Sequence, residues 1–353
     1  MRVAALTSGK NIPSARFRIR QYIPDLQSQG ITVTEYCPVI SQGARLPGAL
    51  GRIRARYMPP VMAAQAALNL VARIPGIVGS HRSDVTWLER NFIPGLDDFA
   101  RLLQHPVVLD IDDAIWLYNP FGEAMIKRLV RRADMVFAGN SFIADWCSNY
   151  CKEVQIVPTA IDCDRFKPRI KARSRSAPFV VGWTGTSGNF RFLKMIEPAL
   201  AKFLAVNSDA RLLVVADQKP NLESIPPSQL VFKRWQAVTE HLVLHEMDVG
   251  IMPIDDSDIS RGKCSFKMLQ YMAAGLPVIV SPYGMNREIL NMSSEGMGPE
   301  NCDEWLDCLQ TAKWNNDAGA FVAQDSRNII VNNFSTVKIA KKIARLFGAR
   351  SSR

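Results

Sequence analysis

The chain has 353 residues, 47% of them apolar and 22% charged, with a net charge of +10. That length accommodates two domains with separate cores, and the balance excludes a disordered, fibrous or disulfide-framework protein. The positive charge favours anionic partners (nucleic acid, an acidic lipid surface or a phosphorylated substrate) without choosing among them. No helix-turn-helix, RNP or zinc-knuckle pattern accompanies it, which sets nucleic acid aside. The seven cysteines, at 37, 147, 151, 163, 264, 302 and 308, are scattered without Cys-x-x-Cys spacing. Reduced thiols in a cytoplasmic protein are expected, and a zinc site is not. The stretch MRVAALTSGK lacks the apolar core of a signal peptide, and no run of about 18 uncharged apolar residues predicts a membrane span.

Arg2 to Leu6 reads as a strand, followed by a small-residue turn, a helix from Ser14 to Gln29, a glycine stop at Gly30 and a second strand from Ile31 to Tyr36. This opens a doubly wound α/β domain. Arg16, Arg18 and Arg20 lie on the first helix, either toward a functional cleft or on a solvated basic face. Between 43 and 80, arginines at 45, 52, 54, 56 and 73 surround the apolar stretch Tyr57 to Ala72. A basic amphipathic segment of this kind suits an anionic membrane surface, contacted through 45–73; the alternative is an ordinary helix packed on the sheet. Further strands are expected at Asp84 to Glu89, Val107 to Ile111, Ala133 to Asn140 and Val154 to Pro158. The second of these runs into Asp110, Asp112 and Asp113, three carboxylates that repel one another unless water, arginine or a polar substrate is near. Asp112 or Asp113 is also placed to cap a helix over DAIWLY, and Ser141 to cap the helix after Asn140. The polar, basic run RIKARSRSAP marks a domain boundary.

The second half opens with the strand Phe179 to Trp183 and the loop GTSGN. Gly182, Thr184, Gly185 and Thr186 there would let backbone N–H groups approach a diphosphate. The spacing is neither a Walker A loop nor a dinucleotide fingerprint. A strand at Arg211 to Ala216 and a helix at Leu242 to Met247 follow. The most informative stretch is Asp248 to Glu288. It predicts a buried strand (Asp248 to Ile254), a polar loop (Asp255 to Ser265), a helix (Phe266 to Ala274) ended by Gly275, and a second buried strand (Leu276 to Ser281). The loop sits at a strand's carboxyl end and a helix's amino end, where anions bind. A last basic amphipathic helix is expected from Ser335 to Phe347.

The residues RGKCSFKMLQYMAAGLPVIVSPYGMNREIL resemble the donor-binding segment of the family-4 glycosyltransferases. The resemblance implies the GT-B fold, with two Rossmann-like domains facing a cleft. It gives an acceptor-binding domain over 1–165, a nucleotide-sugar domain over 178–334, and a helix over 335–353 that crosses back to the first. The Glu-x7-Glu pair of many members is replaced here by Gly262 and Gln270; Lys267 and Gln270 instead match a Lys-x-x-Gln-Tyr-Met-Ala branch. By this resemblance the donor contacts are Gly262, Lys263, Cys264, Ser265, Phe266, Lys267 and Gln270, with the glycine loop. Gln270 is placed to hydrogen-bond a ribose hydroxyl, since its amide both donates and accepts. Asp112 occupies the place where many members hold a histidine near the reacting sugar, which makes it a candidate base.

The expected activity is retaining transfer of a sugar from a nucleotide-diphosphate sugar to a lipid-linked or saccharide acceptor, in polysaccharide, lipopolysaccharide or other glycoconjugate synthesis. Lys263, Lys267 and the helix start would carry the charge of the leaving diphosphate, so neither metal nor other cofactor is expected. The expected location is cytoplasmic, peripheral on the inner face of the membrane. A GT-B scaffold without activity and a sugar-nucleotide epimerase are the alternatives, the first favoured by the missing glutamates.

Overall fold

The computed structural model describes residues 1–38, 59–91, 97–118, 121–170, 174, 177–318 and 324–351. The chain divides into two units, 161–335 and the remainder on either side of it. In the first unit β1 (Arg2–Leu6) is followed by α1 (Pro13–Arg18), α2 (Ile23–Ser28) and β2 (Thr32–Tyr36). The single helix expected over 14–29 is broken by a 3-10 turn at Arg20–Tyr22. Pro24 has no N–H to give the Arg20 carbonyl, so the helix cannot run through, and the proline instead starts α2. Gly30 ends the segment with φ +78°, a conformation that costs glycine little.

Then come α3 (Pro59–Ser80), β3 (Val85–Glu89), β4 (Val107–Ile111), α4 (Gly122–Arg132), β5 (Met135–Ala138), α5 (Ser141–Ser148) and β6 (Val154–Ile156). The sheet is parallel throughout, in the order β2-β1-β3-β4-β5-β6. Such a sheet is covered on both faces, which is why β1, β3 and β4 are near-continuous apolar runs. Of the basic stretch 45–73, residues 45–58 lie outside those described.

The second unit carries β7 (Phe179–Thr184), α6 (Phe190–Met195), α7 (Glu197–Val206), β8 (Ala210–Ala216), β9 (Leu230–Arg234) and β10 (Val249–Met252). The helix expected at 242–247 is only a 3-10 turn, Val243–Glu246. After β10 follow α8 (Asp258–Arg261), α9 (Phe266–Ala273), β11 (Val278–Val280), α10 (Met285–Leu290), α11 (Cys302–Asp317) and α12 (Gln324–Asn333). This sheet is also parallel, ordered β11-β10-β7-β8-β9, with a core that joins Trp183, Phe203, Ile251 and Trp305. Gly275, with φ +69°, stops α9 as the sequence predicts.

The chain finally returns to the first unit as α13 (Thr336–Ser351). Ile339, Ile343 and Phe347 recur every four residues and are buried, while Lys338, Lys341 and Arg345 on the same helix are exposed. Phe347 meets Trp87 edge-on, with ring centroids 5.3 Å apart. The seven cysteines form no disulfide. No helix among the described residues is long and apolar enough to cross a membrane.

Candidate active site

The carboxyl end of β7 and the start of α9 meet in the second unit, and Tyr271 joins them. Its ring is fully buried, and its hydroxyl accepts the Thr184 N–H at 2.8 Å. The ring lies against Gly250, where an added Cβ would stand 2.4 Å from it. Lys267 is one helical turn before Tyr271 and therefore shares its face. Its Nζ sits 4.4 Å from the centre of the Trp183 ring. Gly185 makes room for it, since a Cβ there would lie 2.9 Å from Nζ and 2.4 Å from the Trp183 ring. Gly182, by contrast, lies within β7 and is required by packing: a Cβ would meet Met247 Sδ at 2.1 Å.

Lys267 has no carboxylate partner among the described residues. Burial pushes its ammonium down to about 7, and the neighbouring charge of Lys263 adds to the effect. Two buried polar groups share this part of the unit. Gln270 is 7% exposed, and the buried Nε1 of Trp183 has no hydrogen-bond partner among the described residues. Native interiors rarely leave such a donor unmet.

The helix α9 begins at Ser265, whose φ of +48° is left-handed. Its hydroxyl does not cap the helix; it donates to Asn286 Oδ1 at 2.6 Å, and Asn286 Nδ2 donates to the Ser281 carbonyl at 2.9 Å. Ser265 thus makes no side-chain capping bond to the first turn, and the positive end of the helix dipole lies beside Lys263 and Lys267. Cys264 is buried, Phe266 half-buried, and Gly262 closes α8.

The loop expected from Asp255 to Ser265 contains α8, because Ser257 caps a helical turn there. Asp255 accepts hydrogen bonds from Ser257 at 2.6 Å and Ser260 at 2.5 Å, and Arg191 lies 3.9 Å away. Burial would raise its carboxyl, but these hydrogen bonds and Arg191 hold it below the usual range. Asp256 is bonded to Arg261. Thus both carboxylates brace the loop itself. The glycine loop is similarly committed. Gly185 N–H donates to Val215, and Ser187 donates from N–H and hydroxyl to Asp217, at 2.6 and 2.8 Å. Positive charge in this region therefore comes from Lys263, Lys267 and the start of α9 more than from the GTSGN backbone. Tyr271, Trp183, Asn286 and Asp217 escaped sequence reasoning because each acts through a contact distant in the chain. Removing the Tyr271 hydroxyl tests the brace: Tyr271→Phe leaves the Thr184 N–H without its acceptor. That is expected to lower stability by about 1–3 kcal/mol in urea unfolding.

In the first unit the strand ends hold a polar network. Arg18 is 1% exposed, and its Nε lies 2.7 Å from Asp110 Oδ1, also 1% exposed. Trp87 Nε1 donates to Asp110 Oδ2 at 3.1 Å, and Arg18 Nη1 donates to the Val157 carbonyl at 2.7 Å. Arg20 pairs with Glu35, and Arg16 stacks over Phe17. Of the three arginines, then, Arg18 and Arg20 are ion-paired within the unit, a role the sequence did not suggest. Fully buried Glu89 accepts the Ser8 N–H at 2.7 Å and the Ser14 hydroxyl.

Arg90, with φ +59°, reaches Asp112 Oδ1 at 2.5 Å and Asp113 Oδ2 at 2.8 Å. Burial would raise the Asp112 carboxyl, but Arg90 holds it below the usual range. Neither aspartate caps a helix. The residues after them form only a 3-10 turn, Ile115–Leu117, whose cap position is Ala114. Both side chains face Arg90 instead. At the next helix the cap is Asn140, not Ser141: its Oδ1 accepts the Ile143 N–H at 2.9 Å.

Residues 179–312 match a family model described as glycosyl transferases group 1. No curated protein matches the sequence. Solved structures are similar over nearly the whole chain. A sucrose-phosphate synthase from Thermosynechococcus elongatus has TM-score 0.71 and 12% identity, covering 99% of this chain and 98% of its own. Anabaena HepE in complex with UDP and glucose has TM-score 0.70 and 14% identity, covering 99% and 100%. A glycosyltransferase from Rickettsia africae has TM-score 0.68 and 16% identity, covering 98% and 97%. Identities this low establish the fold, which is GT-B. The domain match and the fold place the protein in the class of glycosyltransferases.

Proposed function

We propose that the protein is a retaining glycosyltransferase of the family-4 type. Its donor is a nucleotide-diphosphate sugar, bound by the second unit between the end of β7 and the start of α9. The single observation that carries this reading is Lys267, half-buried over the Trp183 ring at the start of α9, without a carboxylate partner among the described residues and with Lys263 near it. Lys267 so placed, with the like charge of Lys263 near it, is unfavourable alone and becomes favourable when a diphosphate arrives. As the sugar–phosphate bond breaks, charge grows on the leaving oxygens; Lys263, Lys267 and the dipole of α9 stabilise it without a metal. The Gln270 amide, which both donates and accepts, suits a ribose hydroxyl in place of the missing glutamate. Asp112 is the carboxylate assigned to the first unit. Its pairing with Arg90 makes it a weak base, so it acts by charge more than by removing a proton.

The acceptor is a saccharide or lipid-linked saccharide, in polysaccharide, lipopolysaccharide or other glycoconjugate assembly, on a cytoplasmic protein peripheral to an anionic membrane surface. The net charge and the apolar, arginine-flanked segment 45–73 support this part. The test of the donor reading is a thermal-shift panel of nucleoside diphosphates and their sugar conjugates. One base is expected to raise the melting temperature, because a ligand bound only by the folded state stabilises it. A panel without any shift would instead favour a GT-B scaffold that has lost its donor.

A further inference from the structure

In the first unit, the face of the sheet under α4 is not filled at the amino end of β4. Successive side chains of a strand alternate, so Val107 and Leu109 share one face. α4 and the 3-10 segment Asp97–Leu102 lie against it, and between these elements is a cavity of about 230 Å3. Val107, Leu109 and Leu129 wall the cavity, and all three are buried. The other apolar positions on its wall are alanines, Ala100 and Ala133, too small to close the space. Ala133 also ends α4 in an extended conformation, so no further helical turn covers the start of the strand.

The chamber is apolar and its rim is basic. Arg101, His105 and Arg132 line it, and all three are exposed. Asp134, the carboxylate next to them, is already committed. Its Oδ2 accepts the Val107 N–H at 2.6 Å and lies 2.6 Å from His105 Nδ1. The Asp134 N–H donates to the Val107 carbonyl at 2.9 Å, so this residue ties the start of β4 to the chain leaving α4. The contact through Nδ1 orients the imidazole and does not use Nε2. The negative pole of the α4 dipole also faces this rim, where Arg131 and Arg132 in the last turn offset it. Charge alone therefore holds a bare anion weakly, and the walls have to contribute.

We infer that this cavity binds a compact organic anion, with a single ring or short branched chain in the chamber and a carboxylate or phosphate ester at Arg101, Arg132 and His105. The chamber is smaller than the ~300–1,000 Å3 of sites for drug-sized ligands, so a nucleotide sugar does not fit it. Burial of the ring against Val107, Leu109 and Leu129 supplies the hydrophobic part of the affinity, and the guanidinium groups supply charge-assisted hydrogen bonds. The site is separate from the polar network of the same unit: Val107 begins β4, whereas Asp110 and Asp112 stand at its carboxyl end. It is also independent of the donor reading, whose residues lie in the second unit.

The experiment is an NMR titration of the full chain, labelled at its Val and Leu methyl groups, with phenyl phosphate and with phenylacetate. Inorganic phosphate and benzyl alcohol serve as the controls that carry only the charge or only the ring. The methyl signals of Val107, Leu109 and Leu129 should shift with either aromatic anion, and each control should bind about tenfold more weakly or worse. Ala133→Phe, which fills the chamber, and Arg101→Gln/Arg132→Gln, which removes charge from the rim, should each weaken the anions about tenfold or more. Both variants should keep the wild-type melting temperature and nucleotide response, which separates loss of the site from loss of fold. Lys267→Ala should bind both anions as wild type does. The inference is overturned if neither anion shifts these methyls, if a control binds as tightly as the anions, or if both cavity variants bind as tightly as wild type. Binding that disappears in Lys267→Ala would place the anion at the donor site and overturn it as well.

Discussion

Lys267→Ala should weaken binding of the nucleoside diphosphate by roughly ten- to hundredfold. The loss of one charge-assisted hydrogen bond, about 1.5–3 kcal/mol, sets that range. The pH dependence is the sharper signature. In the free protein burial, reinforced by Lys263, brings the Lys267 ammonium to about 7, against 10.5 for an ordinary lysine. An unfolded chain therefore holds more protons between those two values, so through Lys267 the free protein gains stability as pH rises from about 7. A bound diphosphate restores the higher value. Below pH about 7 Lys267 is already charged, and affinity should be flat as far as this group decides it. Above that, each binding event takes up a proton and affinity should fall, toward a limit of about tenfold per pH unit. The terminal phosphate of the nucleotide is itself ionised above about pH 7, so it does not mask the trend. Calorimetry with UDP at pH 8 in two buffers of different ionisation enthalpy measures the proton directly. Uptake near one proton in wild type and near zero in Lys267→Ala is the expected pair of results; equal values in both would remove Lys267 from the site.

The second large effect concerns the first unit. Arg18→Met should cost about 3–5 kcal/mol in urea unfolding, because it leaves the Asp110 carboxylate buried and unpaired. The double variant Arg18→Met/Asp110→Leu should recover most of that loss, since an apolar pair of similar volume often replaces a buried ion pair at little cost. Burial pushes the Asp110 carboxyl up to about 6 from 3.8, although Arg18 pulls it down. The native state thus holds a proton that the unfolded chain releases between those values. Through Asp110, stability falls as pH rises from about 4 to about 6 and is level above. Replacing Asp110 by Asn should flatten that part of the profile. A surface arginine in the place of Arg18 would show neither effect.

How much of this was legible beforehand depended on how local the cause was. The strand Arg2–Leu6, the strand Val107–Ile111 and the stop of α9 at Gly275 are written in consecutive residues, and the structure has them where the pattern puts them. The break of the first helix was also local, in Pro24, but helical periodicity on both sides concealed it. The capping assignments failed because Asp112 and Asp113 had a stronger partner in Arg90, more than twenty residues earlier. Arg18 and Asp110 are 92 positions apart, and Thr184 and Tyr271 are 87 apart, so no window of sequence contains either pair. Lys267 could be selected from its motif, whereas its missing counter-charge could be seen only once Trp183 and Gly185 stood beside it.

The most direct measurement is amide hydrogen exchange of the full chain, with and without saturating UDP or whichever nucleoside diphosphate the panel selects. If the nucleotide lies between β7 and α9, exchange should slow most in peptides spanning 183–190 and 262–270, and Lys267→Ala should abolish that slowing. Protection concentrated elsewhere, or slowing at those peptides that survives in Lys267→Ala, would contradict the donor site described here.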